Sequence, residues 1–219
     1  MTEPNLHYAV TPGVGSLFFS ADQLRLVAEV AGHGGRVELN SFMQLIIHSA
    51  NDRSHTQTER LRAAGLGVYP VGPVVKNLHT CTFCMGERVD GLPDAQALDQ
   101  AVAGTPVPFP VRIGFSGCAN NCGEALLRDI GVVLMQPGHF DVFIGGRPGS
   151  LSPELGTKIV ADVRSSELVP CMQAILDCYR RNARGKERFW KAVQRLGPGP
   201  FADAAASARS SERQDTGNP

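Results

Sequence analysis

The sequence predicts an α+β protein built from two successive segments, on three observations. Apolar stretches of strand length alternate with amphipathic helical stretches over residues 1–77. A second alternation over residues 78–196 carries four cysteines in two close pairs around apolar strands. Glycine and proline clusters separate the elements throughout, so helices are expected to cover a sheet in each segment.

In the first segment Leu6 to Val10 and Leu17 to Phe19 read as apolar strands around the turn Thr11 to Gly15. Ser20 and Gln23 form a capping box for a helix whose Leu24, Val27, Ala28 and Ala31 share one face, and Gly32 to Gly35 stop it. Arg36 to Ser41 reads as a strand, Leu45 to Ile47 as the start of another element, and Ser54 with Gln57 as a second capping box opening a helix through Ala64. Val68 to Val75 returns extended. The Gly13 and Gly15 turn lacks the full dinucleotide fingerprint and does not open a helix, so it is weak evidence for a nucleotide.

The second segment opens on Cys81 and Cys84, followed by a short helix from Asp94 to Val102 and a buried strand from Val111 to Phe115 that leads to Cys118 and Cys122. A helical turn ends near Asp129, and Ile130 to Met135 and Phe140 to Ile144 make two strands around Gln136-Pro-Gly138. Ser152 with Pro153 signals a helix to about Val163, and Glu167 to Arg181 and Lys186 to Leu196 two more. Residues 197–219 are small and polar, and are expected to be a disordered tail.

Composition narrows the function. Lys plus Arg equals Asp plus Glu at 21 each, so no global field recruits nucleic acid or an acidic membrane surface. Six cysteines with no apolar run long enough to span a bilayer, and no charged-then-apolar leader, point to a reducing cytoplasm in which thiols bind metal or lie buried. Two close pairs can bring four thiolates onto one centre, and their spacing alone leaves iron-sulfur, zinc and unligated thiols all open. Cys171 and Cys178 lie on one helix face beside Ile175 and read as core thiols. His48 and His55 read as surface or structural groups, and His79, just ahead of Cys81, as the histidine to test as a ligand. Arg180, Arg181, Arg184, Lys186, Arg188 and Lys191 form a basic stretch, read as a solvated face or as a docking site for an acidic donor.

At Ile113-Gly-Phe-Ser-Gly-Cys118-Ala-Asn-Asn-Cys122-Gly-Glu, Arg128-Asp-Ile-Gly131 and Val142-Phe-Ile-Gly-Gly146-Arg, the sequence resembles the sirohaem-dependent sulfite and nitrite reductase family. That family carries Ser-Gly-Cys-Pro-Asn-x-Cys, an Arg-Asp-Ile-Gly strand and a Gly-Gly-Lys-x-Gly turn in this order. Pro12-Gly13, Ser20-Ala-Asp-Gln-Leu24 and Val37-Glu-Leu-Asn-Ser41 resemble its ferredoxin-like half domain. The resemblance covers most of residues 5–196 and implies a ferredoxin-like half domain over 1–77, followed by an α/β sirohaem and 4Fe-4S domain over 78–196.

The resemblance also implies a 4Fe-4S cluster on Cys81, Cys84, Cys118 and Cys122, with Cys122 bridging to sirohaem, and haem carboxylates held by Arg128, Arg147 and the backbone of Gly145 and Gly146. Lys76 and Arg112 are the catalytic cations it implies for a small anionic substrate, sulfite, nitrite or a related oxo-species. No flavin or nicotinamide signature is evident, so electrons are expected from a separate donor protein. Family subunits contain two half-domain and cluster-domain units and this chain one, which implies a homodimer. Two departures stand out. The first cysteine pair has a two-residue spacer where the family has five, and Asn40 to Gln44 lacks the arginine of the family's Thr-Thr-Arg-Gln motif. Arg36 and Arg53 are the substitutes considered for that missing charge. The rival reading is an electron carrier or scaffold of the same fold that binds no sirohaem, or binds another tetrapyrrole.

Overall fold

The computed structural model describes residues 7–49, 54–149 and 151–215. Arg53 therefore lies outside the described residues, as does Leu6 at the expected start of the first strand. The chain divides into two compact units between Gly72 and Pro73. That division falls ahead of the boundary expected after Asn77, because Val74 and Val75 already bridge to Pro106 and Val111 of the second unit.

The first unit runs β1 (His7–Thr11), α1 (Ala21–Ala31), β2 (Arg36–Leu39), β3 (Leu45–His48), α2 (Ser54–Ala63), β4 (Gly67–Pro70). Its strands form one antiparallel sheet in the order β2-β3-β1-β4. This βαββαβ pattern is the ferredoxin-like arrangement. Both arms of the Ser20 and Gln23 capping box form, at 3.1 and 2.9 Å. Val27, Val30 and Ala31 of α1 then pack on Val10, Ile47, Leu61 and Val68. Leu17 to Phe19 is not a strand: Phe18 is 69% exposed, since an apolar run directly before a helix cap has no ladder partner. The cation-free stretch from Asn40 to Gln44 is a turn closed on itself, with the Asn40 carboxamide oxygen accepting from Phe42 and Gln44 N–H.

The second unit holds a five-stranded mixed sheet in the order β5 (His79–Thr80), β6 (Ile113–Ser116), β7 (Ile130–Gln136), β8 (His139–Ile144), β9 (Thr157–Arg164). The first three strands are parallel and the last two antiparallel. Helix α3 (Leu92–Val102) links β5 to β6, and α4 (Ser165–Asn182), α5 (Phe189–Leu196) and α6 (Gly199–Asp215) follow β9. Two expectations are corrected here. The helix expected from Ser152 to Val163 is strand β9, and residues 199–215 of the expected disordered tail form α6, with Phe201 and Ala205 fully buried. Cys171 and Cys178 are core thiols, 0% and 4% exposed, and burial pushes the Cys171 thiol up to about 11.

Candidate functional site

Parallel pairing of β5 with β6 brings the starts of the two cysteine pairs to one end of the sheet. His79 and Thr80 stand opposite Gly114 and Phe115, so Cys81 leaves β5 where β6 reaches Ser116, and Cys118 follows two residues on. The Cys81 N–H donates to the Phe115 carbonyl at 3.3 Å, and the Gly117 N–H donates to Cys81 Sγ at 3.3 Å. An amide aimed at a thiolate sulfur is the kind of contact that tunes a metal centre. The loop after Cys118 is tied back by its own polar groups. The Ser116 hydroxyl donates to Asn121 Oδ1 at 3.3 Å and accepts from Gly123 N–H at 3.1 Å, while Leu126 N–H also donates to Asn121 Oδ1.

The short spacer of the first pair is accommodated by backbone strain. Phe83, Cys84 and Met85 all take left-handed φ values, 49°, 54° and 58°. Such a conformation costs about 1–2 kcal/mol per residue. Phe83 offsets it by burying its ring against Phe115, with centroids 6.2 Å apart, under Gly117, where an added Cβ would lie 2.8 Å from the ring. Cys84 is left exposed beside it, as is Cys122, while Cys81 and Cys118 are half-buried. Among the described residues no three His, Cys, Asp or Glu side chains stand as a ready ligand set for a single metal ion.

The opposite end of the same strands is cationic. β6 and β7 begin there and β8 ends there, with Ile130 paired to both Ile113 and Ile144. The four residues of β6 separate this end from the cysteines by about 13 Å. Lys76 is 7% exposed, and burial, then the neighbouring Arg112 charge, lowers its ammonium pKa. Burial likewise lowers Arg112, with Asp129 opposing and Arg128 and Arg188 adding to the effect. Asp129 sits at the centre: its Oδ2 accepts the Arg112 N–H at 2.9 Å and its carbonyl accepts the Gly145 N–H at 2.8 Å. Burial pushes its carboxyl up to about 6 against the pull of that N–H and of three guanidiniums.

Arg128 Nη2 holds Glu124 at 2.5 Å, and Arg147 Nη2 holds Glu154 at 2.5 Å and the Ser152 carbonyl at 3.1 Å. Arg147 also lies over the Trp190 ring at 4.7 Å. The Nε atoms of both arginines are buried without a hydrogen-bond partner. Gly145, at φ 86°, already gives its N–H to Asp129. At Gly146 an added Cβ would lie 2.4 Å from the Arg128 carbonyl oxygen. These glycines let the end of β8 press against residues 126–129.

A family model described as the nitrite and sulphite reductase 4Fe-4S domain matches residues 74–213, which hold both ends just described. The chain belongs to that family. Among curated relatives, a cobalt-factor III methyltransferase from Priestia megaterium is 29% identical over 86% of this chain, which spans 34% of that protein. An assimilatory-type sulfite reductase from Nitratidesulfovibrio vulgaris is 27% identical over 65% of this chain and 72% of its own length. The structure of dissimilatory sulfite reductase I superposes with a TM-score of 0.66 at 10% identity, over 91% of this chain and 68% of that one, a likeness of fold.

For a member of the nitrite and sulphite reductase family, the donor set fits the implied groups. Two cysteine pairs, the residues a four-thiolate cluster would draw on, follow the adjacent ends of β5 and β6, and two buried guanidinium N–H groups lack a protein acceptor, as a carboxylate-rich cofactor requires. The structure gathers Lys76, Arg112, Arg128 and Gly145 to Arg147 at one end, apart from the cysteines at the other. Two residues of the cationic end escaped sequence reasoning. Asp129 was legible only as part of the Arg128-Asp-Ile-Gly strand, and Arg188 only as one cation in a basic run. His79 lies in β5, and burial, then the Arg128 charge, lowers its imidazole pKa, with Glu124 opposing. Arg36 is exposed on β2. No helix among the described residues is long and apolar enough to cross a membrane.

Proposed function

We propose that the protein is a sirohaem- and 4Fe-4S-dependent redox enzyme that reduces sulfite, nitrite or a related small oxo-species with electrons from a separate donor protein. The observation that carries this reading is one sheet whose strands β5 and β6 lead into the two cysteine pairs at one end and whose other end is cationic and holds buried guanidinium N–H groups without a partner. When bound, the cluster and sirohaem supply the electrons and the iron at which the substrate is reduced. The chain supplies the rest. Cys81, Cys84, Cys118 and Cys122 would be the thiolates that hold the cluster, with Cys122 the one that would couple it to sirohaem. Arg128 and Arg147 each present a buried Nε–H to cofactor carboxylates.

Lys76 and Arg112 attract the anionic substrate, and Lys76 gives up a proton more readily than an ordinary lysine because burial and Arg112 both disfavour its charge. Asp129 holds the Arg112 backbone and carries part of the compensating negative charge. A second copy of the chain supplies the unit that family subunits carry twice, and the protein works in the cytoplasm.

A second reading rests on the methyltransferase relative, which matches 86% of this chain. In that reading this chain would be an iron-sulfur carrier or scaffold without sirohaem, serving an enzyme of another class. The visible spectrum of protein purified without oxygen from cells making sirohaem, together with iron, acid-labile sulfide and zinc analysis, separates the readings. Haem bands with about four iron and four sulfide per chain beyond the haem iron support the reductase. Cluster absorption without haem bands replaces it with the carrier, and colourless zinc protein overturns both. Cys122→Ser is expected to uncouple haem from cluster; full activity with both cofactors retained removes the bridge assignment.

A further inference from the structure

We infer that Arg188, in the α4–α5 connection, is a carboxylate-binding residue of the cationic end and that the ligand it serves is a tetrapyrrole bearing several carboxylates, an inference that rests on the function proposed above. The sequence run from Arg180 to Lys191 contains six cations and a single acid, Glu187. Glu187 is fully committed: Arg195 donates to it at 3.0 and 2.6 Å and the Arg184 N–H at 3.0 Å, and the Arg195 hydrogen bond, foremost, holds its carboxyl down to about 2. Arg180 is spent on the Pro106 carbonyl at 2.9 Å and on Asp177. Arg188 has no ion pair among the described residues.

What distinguishes Arg188 from its neighbours in the run is where the fold holds it. Tyr179 donates through its hydroxyl to the Glu187 carbonyl and takes a backbone hydrogen bond at Phe109, so one buried side chain joins residues 187 and 109. The Arg188 guanidinium then lies 4.6 Å over the Phe109 ring. Phe189 packs on Tyr179 at 5.0 Å and on Phe201 at 5.5 Å, which fixes the backbone on its other side. Two residues on, Trp190 lies against Arg147. From this position the Arg188 charge acts on both Arg112 and Asp129. Arg181, Arg184 and Lys186 are exposed, as Arg188 is, but none of them stacks on a ring among the described residues.

A flat, stacked guanidinium keeps its N–H fork pre-set for a carboxylate, and it loses little freedom on binding. With Arg128, Arg147 and Lys76 it makes an end suited to several carboxylates at once rather than to one small oxyanion.

The test is a fluorescence titration of the full-length protein, purified without tetrapyrrole, with uroporphyrin III, an octacarboxylate. Arg188→Glu is expected to weaken binding by more than about tenfold, Arg188→Lys by less because charge is kept and the fork lost, and Arg181→Glu by less than about twofold. Equal thermal melting of the variants shows that the fold is intact. Binding by the parent chain with Arg188→Glu indistinguishable from Arg181→Glu overturns the role of Arg188 while leaving the proposed function standing. No binding by the parent chain overturns the tetrapyrrole reading itself.

Discussion

Asp129 decides how the cationic end responds to pH. Its carboxyl titrates near 6 because burial penalises the charge more than its neighbours reward it, and those neighbours are Arg112, Arg128 and Arg188, with Tyr179 on α4. Above that pH the carboxylate cancels part of the local positive charge; below it that part of the compensation is lost. Uroporphyrin binding is therefore expected to tighten as pH falls from 7.5 to 5.5, and Asp129→Asn to bind more tightly at 7.5 and lose the Asp129 contribution to that slope. Parallel slopes in parent and variant would refute this. The sign for stability is the same: a carboxyl raised above its ordinary 3.8 stabilises the fold at low pH and loses that contribution as pH rises through about 6. The cysteines were legible in the sequence because ligand spacing is local. Asp129 and Arg188 were not, since their roles depend on Phe109 and Tyr179, which only the fold brings to them.

Elements misread from sequence failed for identifiable reasons. In β9 the buried residues Val160 and Val163 are three apart, a helical spacing, because the ladder shifts register there and Asp162 takes φ 56°. With Ser152 and Pro153 upstream, that spacing reads as a capped helix. In α6 the composition is small and polar, yet Pro200 sits in the first turn, where it needs no N–H. Phe201 then closes an aromatic cluster with Phe189 and Tyr179. Arg209 completes the seam, reaching the fully buried Glu167 at 3.0 Å and the carbonyls of Ala161 and Asp162 at 3.2 and 2.8 Å. Phe201→Ala is thus expected to cost about 3–5 kcal/mol, lowering the melting temperature by roughly 10 °C. A tail without structure would leave the melt unchanged, so thermal denaturation by circular dichroism checks whether α6 is part of the core. The alternation that predicted α+β survived both errors, since each unit still builds a sheet with helices from its own segment.

At the scale of the whole chain, the residues of the proposed site are confined to one unit. All four paired cysteines and every cation named for the proposed site lie in residues 73–219. Cluster assembly and carboxylate binding by these residues are therefore expected of the second unit taken by itself. Its sheet is complete without the first unit, with β5 at one edge and β9 at the other, and its core includes Phe115, Phe140, Tyr179 and Phe189. A fragment of residues 73–219 is accordingly expected to fold, to take up about four iron and four sulfide on anaerobic reconstitution, and to bind uroporphyrin III within about threefold of the full chain. Retained cluster with porphyrin affinity lost would mean that carboxylates are held in part by the first unit, and would assign to that unit the cations the second does not supply. Loss of both in a fragment whose circular dichroism is native would show that the cysteine edge needs more than the strands that carry it.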